Sequence, residues 1–300
     1  MHVLEEKDIK TTLMELKEYQ KKIKNIKEYY DEKEDSRIVT DYYHDINFDG
    51  ADKSKLFEQL HQLTTTTHKN QLPYNSETRD YLYSIIDIHM DGNLKSIYSG
   101  SHKDPEQTIR EDYEAALKRK EEYDKLLNNK PKNDDVWNKA VAVIESENMF
   151  NCEHVIPQSW FDQESPMRGD LHHLFTCETK CNSTRSNYPY FDFKDYTPVM
   201  DTKTIKTNCG KYEEEKFEPE SGKGEVARAT LYFLIRYPGE ISQYNDKDID
   251  MLLNWHKDFE VSVYEKHRNK EIYHVQKNRN PLIDFPEYAA KIDFLLGLFK

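Results

Sequence analysis

A mainly helical α+β fold is predicted by three observations. Apolar residues recur at helical spacing near both ends of the chain, only short strand-like runs lie between them, and 33% of the 300 residues are charged. From Ile9 to Tyr30 the apolar positions Ile9, Leu13, Leu16, Ile23, Ile26 and Tyr30 follow steps of three and four, which reads as one long amphipathic helix. Gln20 interrupts an already short heptad pattern, so a helix docked on the body fits better than a coiled coil. The charged run Asp31 to Ser36 is expected to be a solvated break behind it. In DINFDGADKSKL, Asp45, Asn47, Asp49 and Gly50 match the first half of a calcium loop, but Leu56 stands where the bidentate Glu belongs. A turn with an N-cap ahead of a helix from Ser54 is the better reading. The stretch ETRDYLYSIIDIHMDGNLKSIYSG reads as a helix, a turn at Asp91-Gly92 and a short strand at Ser96 to Tyr98. Pro105 to Lys130 is polar nearly all round, a solvent-facing helix or surface insertion, and from Val136 the apolar content rises. ARATLYFLIRYPG and DMLLNWHKDFEVSVYEKHRNKEIYHVQKNRNPL are helix-like and close on Gly or Pro.

The chain carries 43 Lys and Arg against 56 Asp and Glu, a formal net charge of -13. That balance argues against tight, sequence-independent binding across a broad basic face, because affinity for phosphate backbones comes largely from cations that release counterions; any nucleic-acid site must be local. No window approaches the roughly 18 apolar residues of a membrane span. The start, MHVLEEKDIK, is charged where a signal peptide has its apolar core, so the chain reads as cytoplasmic as written, or as secreted if it is a processed mature form. Four cysteines, Cys152, Cys177, Cys181 and Cys209, permit disulfides, free thiols or a zinc site; the spacing in CETKC is one residue wider than the commonest zinc pair.

Chemistry concentrates in NCEHVIPQSWF, Asn151 to Phe161. Neighbouring side chains of a strand face opposite ways, so Glu153 and His154 can serve one site only at a strand end or in a loop. Arg168, Asp170, His172, His173, Asn182 and Arg185 follow in order. One carboxylate plus one amide carbonyl, completed by water, suits a hard cation such as Mg²⁺, with Mn²⁺ or Ca²⁺ as substitutes, and leaves the ion net positive toward a phosphodiester. An imidazole with an ordinary pKa of about 6.5 can be neutral near pH 7 and take a proton from water. In DLHHLF, His172 and His173 are expected to alternate across a strand, one toward the site. Singly, each residue has a bland reading: a surface pair, a helix cap, a core histidine. Their joint order favours a metal site.

NCEHVIPQSWF, then GDLHHLF and KCNSTRSNYPYFDF, then FEPESGKGEVARATLYFLIRYPG, LLNWHKDFEVSVYEKHRNKEIY and NRNPLIDFPEYA resemble the endonuclease I family of metal-dependent, largely sequence-nonspecific nucleases. The resemblance covers roughly residues 42–288. It implies an active site built as a ββα-metal (His-Me) finger at about 148–195, within a catalytic domain at 37–300 that follows a helical extension at 1–36. By this resemblance Glu153 and Asn182 are the metal ligands, His154 the general base and Arg168 the phosphate-contacting arginine, acting on DNA and RNA. Lys223, Arg228, Arg236, Arg268 and Arg279, in the later segments, are candidates to line a groove for the backbone; Trp160, Tyr188 and Tyr190 are candidates to stack on bases. The competing reading is a non-catalytic nucleic-acid- or protein-binding module with a structural zinc on the four cysteines.

Overall fold

The computed structural model describes residues 8–129, 133–196 and 209–298. Helix α1 (Ile9–Lys22) is capped by the Asp8 carboxylate and buries Leu13 and Leu16. The apolar stripe then continues in a separate turn, α2 (Ile26–Tyr29), behind the cap Asn25. The run Asp31 to Ser36 is not a solvated break. Asp31 accepts from the Lys33 and Glu34 amides and opens α3 (Glu32–Tyr42), and its acids favour the positive end of the helix dipole. Asp35 is buried because Arg279 makes two hydrogen bonds to it, at 3.0 and 2.9 Å; its partner lies 244 residues away, so local charge patterning misreads it.

The calcium-like segment is a turn. Asn47 accepts from the Gly50 amide at 2.7 Å, and Asp49 is held by Tyr288 and Lys291 at 3.1 and 2.9 Å. Asp52 then caps α4 (Lys53–Thr67). Helix α5 (Ser76–Tyr81) runs into a π-helical turn, Leu82–Ile86. The short strands are β1 (Leu94–Lys95) and β2 (His102–Lys103), an antiparallel pair. Ser96 to Tyr98 is therefore not strand but the turn between them, tied to the body where the Ile97 amide donates to Thr176 O at 2.9 Å. Helix α6 (Pro105–Asn128) has its proline in the first turn behind the cap Asp104; the expected end, Lys130, lies outside the described residues. With α7 (Asp134–Glu147) it forms a helical hairpin.

Strands β3 (Cys152–His154) and β4 (Leu174–Thr176) pair antiparallel, Glu153 opposite Phe175, and α8 (Thr179–Arg185) follows. A second hairpin, β5 (Gly210–Glu213) with β6 (Lys216–Pro219), leads into α9 (Lys223–Arg236), α10 (Asp246–Asp258), α11 (Val263–Gln276) and α12 (Pro281–Asp284). Every residue of α9 except Glu225 is buried, as expected of a helix that is apolar nearly all round, and α4, α10 and α12 pack on it. The β3/β4 pair sits at the seam of two core clusters: Val155, Ile156 and Phe175 join the one around α9, whereas Cys152, Leu171 and Leu174 join the one containing Leu13, Leu82 and Ile272. Both clusters therefore clamp the candidate site. Among the described residues, no helix is long and apolar enough to cross a membrane.

Of the later basic residues, Arg228, Arg236, Arg268 and Arg279 are internal, whereas Lys223 borders an open pocket with Asp192, Lys247 and Trp255 that is separate from the cleft of Glu153 and His154. Arg228 pairs with Glu265, Arg268 with Asp87, Arg279 with Asp35 and Asp284, and Lys223 with Glu218. Arg236 is buried and donates to Thr65 at 3.2 Å. Burying a charge is costly unless it is paired, which is why Arg228, Arg268, Arg279 and Lys223 carry carboxylates inward with them; Arg236 has none within 4.0 Å among the described residues. Tyr190 is likewise core, and Trp160 packs edge-on against Tyr244. Only two of the four cysteines join: a disulfide links Cys181 to Cys209, and Cys152 and Cys177 are buried free thiols. A four-cysteine zinc site is thus not formed.

Candidate active site

The pairing of β3 with β4 ends at His154, so its ring leaves the sheet at the strand end while Glu153 points from the other face. The chain turns there, and both residues line one cleft together with Tyr74, Arg119, Gln158, Arg168 and Asn182. Glu153, His154, Arg168 and Asn182 are therefore brought together, although Asn182 lies on a helix and Arg168 in the loop between the strands.

His154 Nε2 lies 2.9 Å from the main-chain oxygen of Arg168. A carbonyl can only accept, so Nε2 carries the proton and Nδ1 keeps its lone pair. Burial pushes this imidazole well below its ordinary range; the Arg168 guanidinium acts in the same direction and the bond to the Arg168 carbonyl against it. The ring is thus held neutral, with a basic nitrogen free. Tyr74 packs edge-on against it, ring centroids 4.6 Å apart. That contact depends on Gly169, where a Cβ would meet Leu72 O at 1.8 Å, so only glycine lets the loop approach the Leu72 to Tyr74 segment.

Glu153 is buried, and burial raises its carboxyl to about 7 against the opposing pull of Arg185 and the Tyr98 hydroxyl. Tyr98 donates to Oε1 at 2.7 Å, and Arg185 Nη1 stands 3.4 Å from the same oxygen. No described residue donates to Oε2. Asn182 Nδ2 donates to Cys152 O at 2.9 Å, which fixes the amide and leaves Oδ1 without a donor among the described residues. Two bare oxygens, one anionic and one neutral, fit a hard divalent cation that keeps several waters. No group of three or more His, Cys, Asp or Glu side chains converges as metal ligands among the described residues, so the donor set here is unlike a closed zinc cage.

DLHHLF does not alternate across a strand. Leu171–His173 is a 3₁₀ turn, and both histidines are buried. His172 lies 3.3 Å from Asn278 O and His173 is 2.6 Å from Met167 O, so neither reaches the cleft. Asp170 caps that turn and accepts from Tyr232 and Tyr237, each at 2.9 Å. Arg268 donates to Leu171 O and Leu174 O while paired with Asp87, whose other oxygen accepts from the Thr176 amide. These residues hold β4 in place. Arg168 is half-exposed, its Nε donates to Gln158 Oε1 at 2.5 Å, and it has no carboxylate within 4.0 Å among the described residues.

Tyr74, Tyr98 and Arg119 were not singled out by the sequence. Tyr98 stands 55 residues from Glu153, and no local pattern marks it. Arg185 carried a weak signal, three residues after Asn182 on one helix face; its guanidinium donates to Val155 O at 2.7 Å and so joins α8 to the end of β3.

Known proteins resemble part of this chain. It is 33% identical over 161 residues to an extracellular ribonuclease of Bacillus amyloliquefaciens, covering 48% of this chain and 53% of the relative. An extracellular ribonuclease of Bacillus subtilis (strain 168) is 34% identical over 161 residues, covering 48% and 54%. An extracellular deoxyribonuclease of Aeromonas hydrophila is 27% identical over 158 residues, covering 46% and 66%. The chain spans about half the length of the two ribonucleases. Residues 51–287 match the Endonuclease I family model, and the chain belongs to that family.

Proposed function

We propose that the protein is a metal-dependent, largely sequence-nonspecific endonuclease that hydrolyses phosphodiester bonds of DNA and RNA, and that β3, β4 and α8 form a ββα-metal finger. The observation that carries this reading is the convergence in one cleft of a neutral imidazole with a bare Nδ1 and two bare oxygens, Glu153 Oε2 and Asn182 Oδ1. In this reading Glu153 and Asn182 hold one divalent cation, Mg²⁺ or in its place Mn²⁺ or Ca²⁺. A cation held there would add positive charge to that of Arg168 toward the scissile phosphate, in a chain that is acidic as a whole.

His154 Nδ1 takes the proton of the attacking water, and the Nε2–H bond to Arg168 O keeps the ring in the tautomer that can do so. Tyr98 and Arg185 orient Glu153, and the Asn182 bond to β3 sets the spacing of the two ligands. The Arg168 side chain contacts the phosphate. Relatives named as ribonucleases and as deoxyribonucleases support a substrate range that includes both polymers.

The test is cleavage of supercoiled plasmid and of single-stranded RNA with Mg²⁺, with EDTA, and by His154→Ala in Mg²⁺. Both substrates are expected to be cut only with metal, and the substitution to lower the rate by about 10²- to 10⁴-fold, the usual share of general base catalysis. Undiminished cleavage in EDTA, or by the alanine variant, would sink the mechanism.

A further inference from the structure

The α6–α7 hairpin supplies one wall of the cleft through Arg119, Ala142, Glu145 and Ser146, and Arg119 is placed there by an unusual amount of construction. Its Nε donates to Asn148 O at 2.8 Å and its Nη2 to Glu145 O at 3.0 Å, so it closes the C-terminal end of α7. Its guanidinium lies over the Phe150 ring at 4.0 Å, and Arg79 lies over the same ring at 3.5 Å. Arg79 is in turn fixed by Asp112, and Asp112 accepts from the Asn151 amide at 2.8 Å, one residue before β3 begins. This stack therefore references Arg119 to the strand that carries Glu153.

The five N–H donors of a guanidinium exceed the two that Arg119 spends on carbonyls. Like Arg168, it has no carboxylate within 4.0 Å among the described residues, while Arg79, Arg185, Arg228, Arg268 and Arg279 are all paired. Burial lowers the Arg119 pKa and Glu145, the acid on the same wall, opposes that in part from farther off; its carboxylate accepts from Tyr123 at 3.1 Å. A half-buried, rigidly held and unneutralised guanidinium that lines a cleft is suited to a phosphate.

We infer that Arg119 is a second phosphate-contacting residue, so that a polynucleotide strand in the cleft is held by Arg168 and by Arg119 at two different phosphates. This rests on the nuclease reading and adds to it a substrate requirement: a strand of several nucleotides, not a mononucleotide, is the ligand that satisfies both arginines.

The experiment measures binding of a 5′-labelled single-stranded DNA oligonucleotide by fluorescence anisotropy, in Mg²⁺ and across a NaCl series, with His154→Ala as the silenced background. Adding Arg119→Gln is expected to weaken binding about tenfold and to flatten the slope of log K against log salt by about 0.7, the share of one phosphate contact on a single strand. Arg119→Lys, which keeps the charge, is expected to keep the slope. A purely structural loss at the end of α7 would lower affinity without changing the slope. Glu145→Gln leaves both carbonyls intact and is expected to tighten binding about two- to threefold by relieving like-charge repulsion toward the strand; it serves if the glutamine variant at 119 does not fold. Coincident slopes, or an unchanged affinity in Glu145→Gln, would overturn the role of Arg119 while the parent still cleaves. A parent chain that neither cleaves nor binds removes the nuclease reading and this inference with it.

Discussion

Glu153 is buried with one oxygen satisfied, by Tyr98 and by Arg185, and one left bare. Such a carboxylate is tolerable only while its guanidinium partner stays, because an unpaired buried charge loses its hydration with nothing in return. Arg185→Met is expected to cost about 3–5 kcal/mol of unfolding free energy, the usual range for breaking a buried pair, as measured by urea denaturation without divalent metal. A loss below about 1 kcal/mol, the range of exposed pairs, would show that solvent already screens it. The Glu-His pair was legible in the sequence because an acid and an imidazole at adjacent positions pose a geometric problem that only a strand end solves. Tyr98 was not, since a buried hydroxyl 55 residues away leaves no trace in local spacing.

At the scale of elements, α8 is short and is held at three places: Arg185 reaches Val155 O, Asn182 reaches Cys152 O, and Cys181 is bonded to Cys209 beside the β5/β6 hairpin. The bridge closes a separation of 28 residues. In the chain-entropy view, opening a loop of that length costs about 3–4 kcal/mol. Cys181→Ser/Cys209→Ser is expected to unfold at a urea midpoint lower by the corresponding amount, and a midpoint equal to the parent's would show that the bonds from Arg185 and Asn182 hold α8 without it. The helical character of α6, α9, α10 and α11 was legible because it lies within each segment, but the break between α10 and α11, where Ser262 caps the second, was not: the sequence reads as one helix-like stretch there. α3 was not legible: its cap Asp31 and first-turn acids lie in a charge run that reads as solvated, and the burial of Asp35 makes sense only with Arg279 in place. DLHHLF was misread as strand for a related reason: its side chains are ordered by Tyr232, Tyr237 and Arg268 from distant helices, not by a sheet.

Across the whole molecule, buried neutral histidines recur. His68, His172, His173, His256 and His267 are all pushed below their ordinary pKa, first by burial, and His172 falls to about 3. The unfolded chain binds protons at these sites from about pH 6.5 downward while the native chain does not, so stability rises with pH through that window. The associated stabilisation is complete above about pH 6.5 and is lost as pH falls toward 3. Asp170 is depressed as well, despite its burial, with the Gln276 amide donating to it at 2.9 Å, and so adds to the loss at still lower pH. Thermal midpoints measured without metal are expected to drop steadily between pH 7 and pH 4; a flat profile over that range would show that the unfolded state shields its histidines equally. Charge balance at the level of composition gave no hint of this, because it counts histidine as neutral throughout.

The acceptor that sets the His154 tautomer belongs to the peptide unit of residue 168, not to any side chain. An alanine scan is therefore blind to it: replacing Arg168 deletes a guanidinium and leaves the carbonyl where it was. The identity of that residue and the orientation of the base are separable traits, so the loop is free to vary in side chains while its main-chain path is constrained, above all at Gly169, where any Cβ would strike Leu72 O.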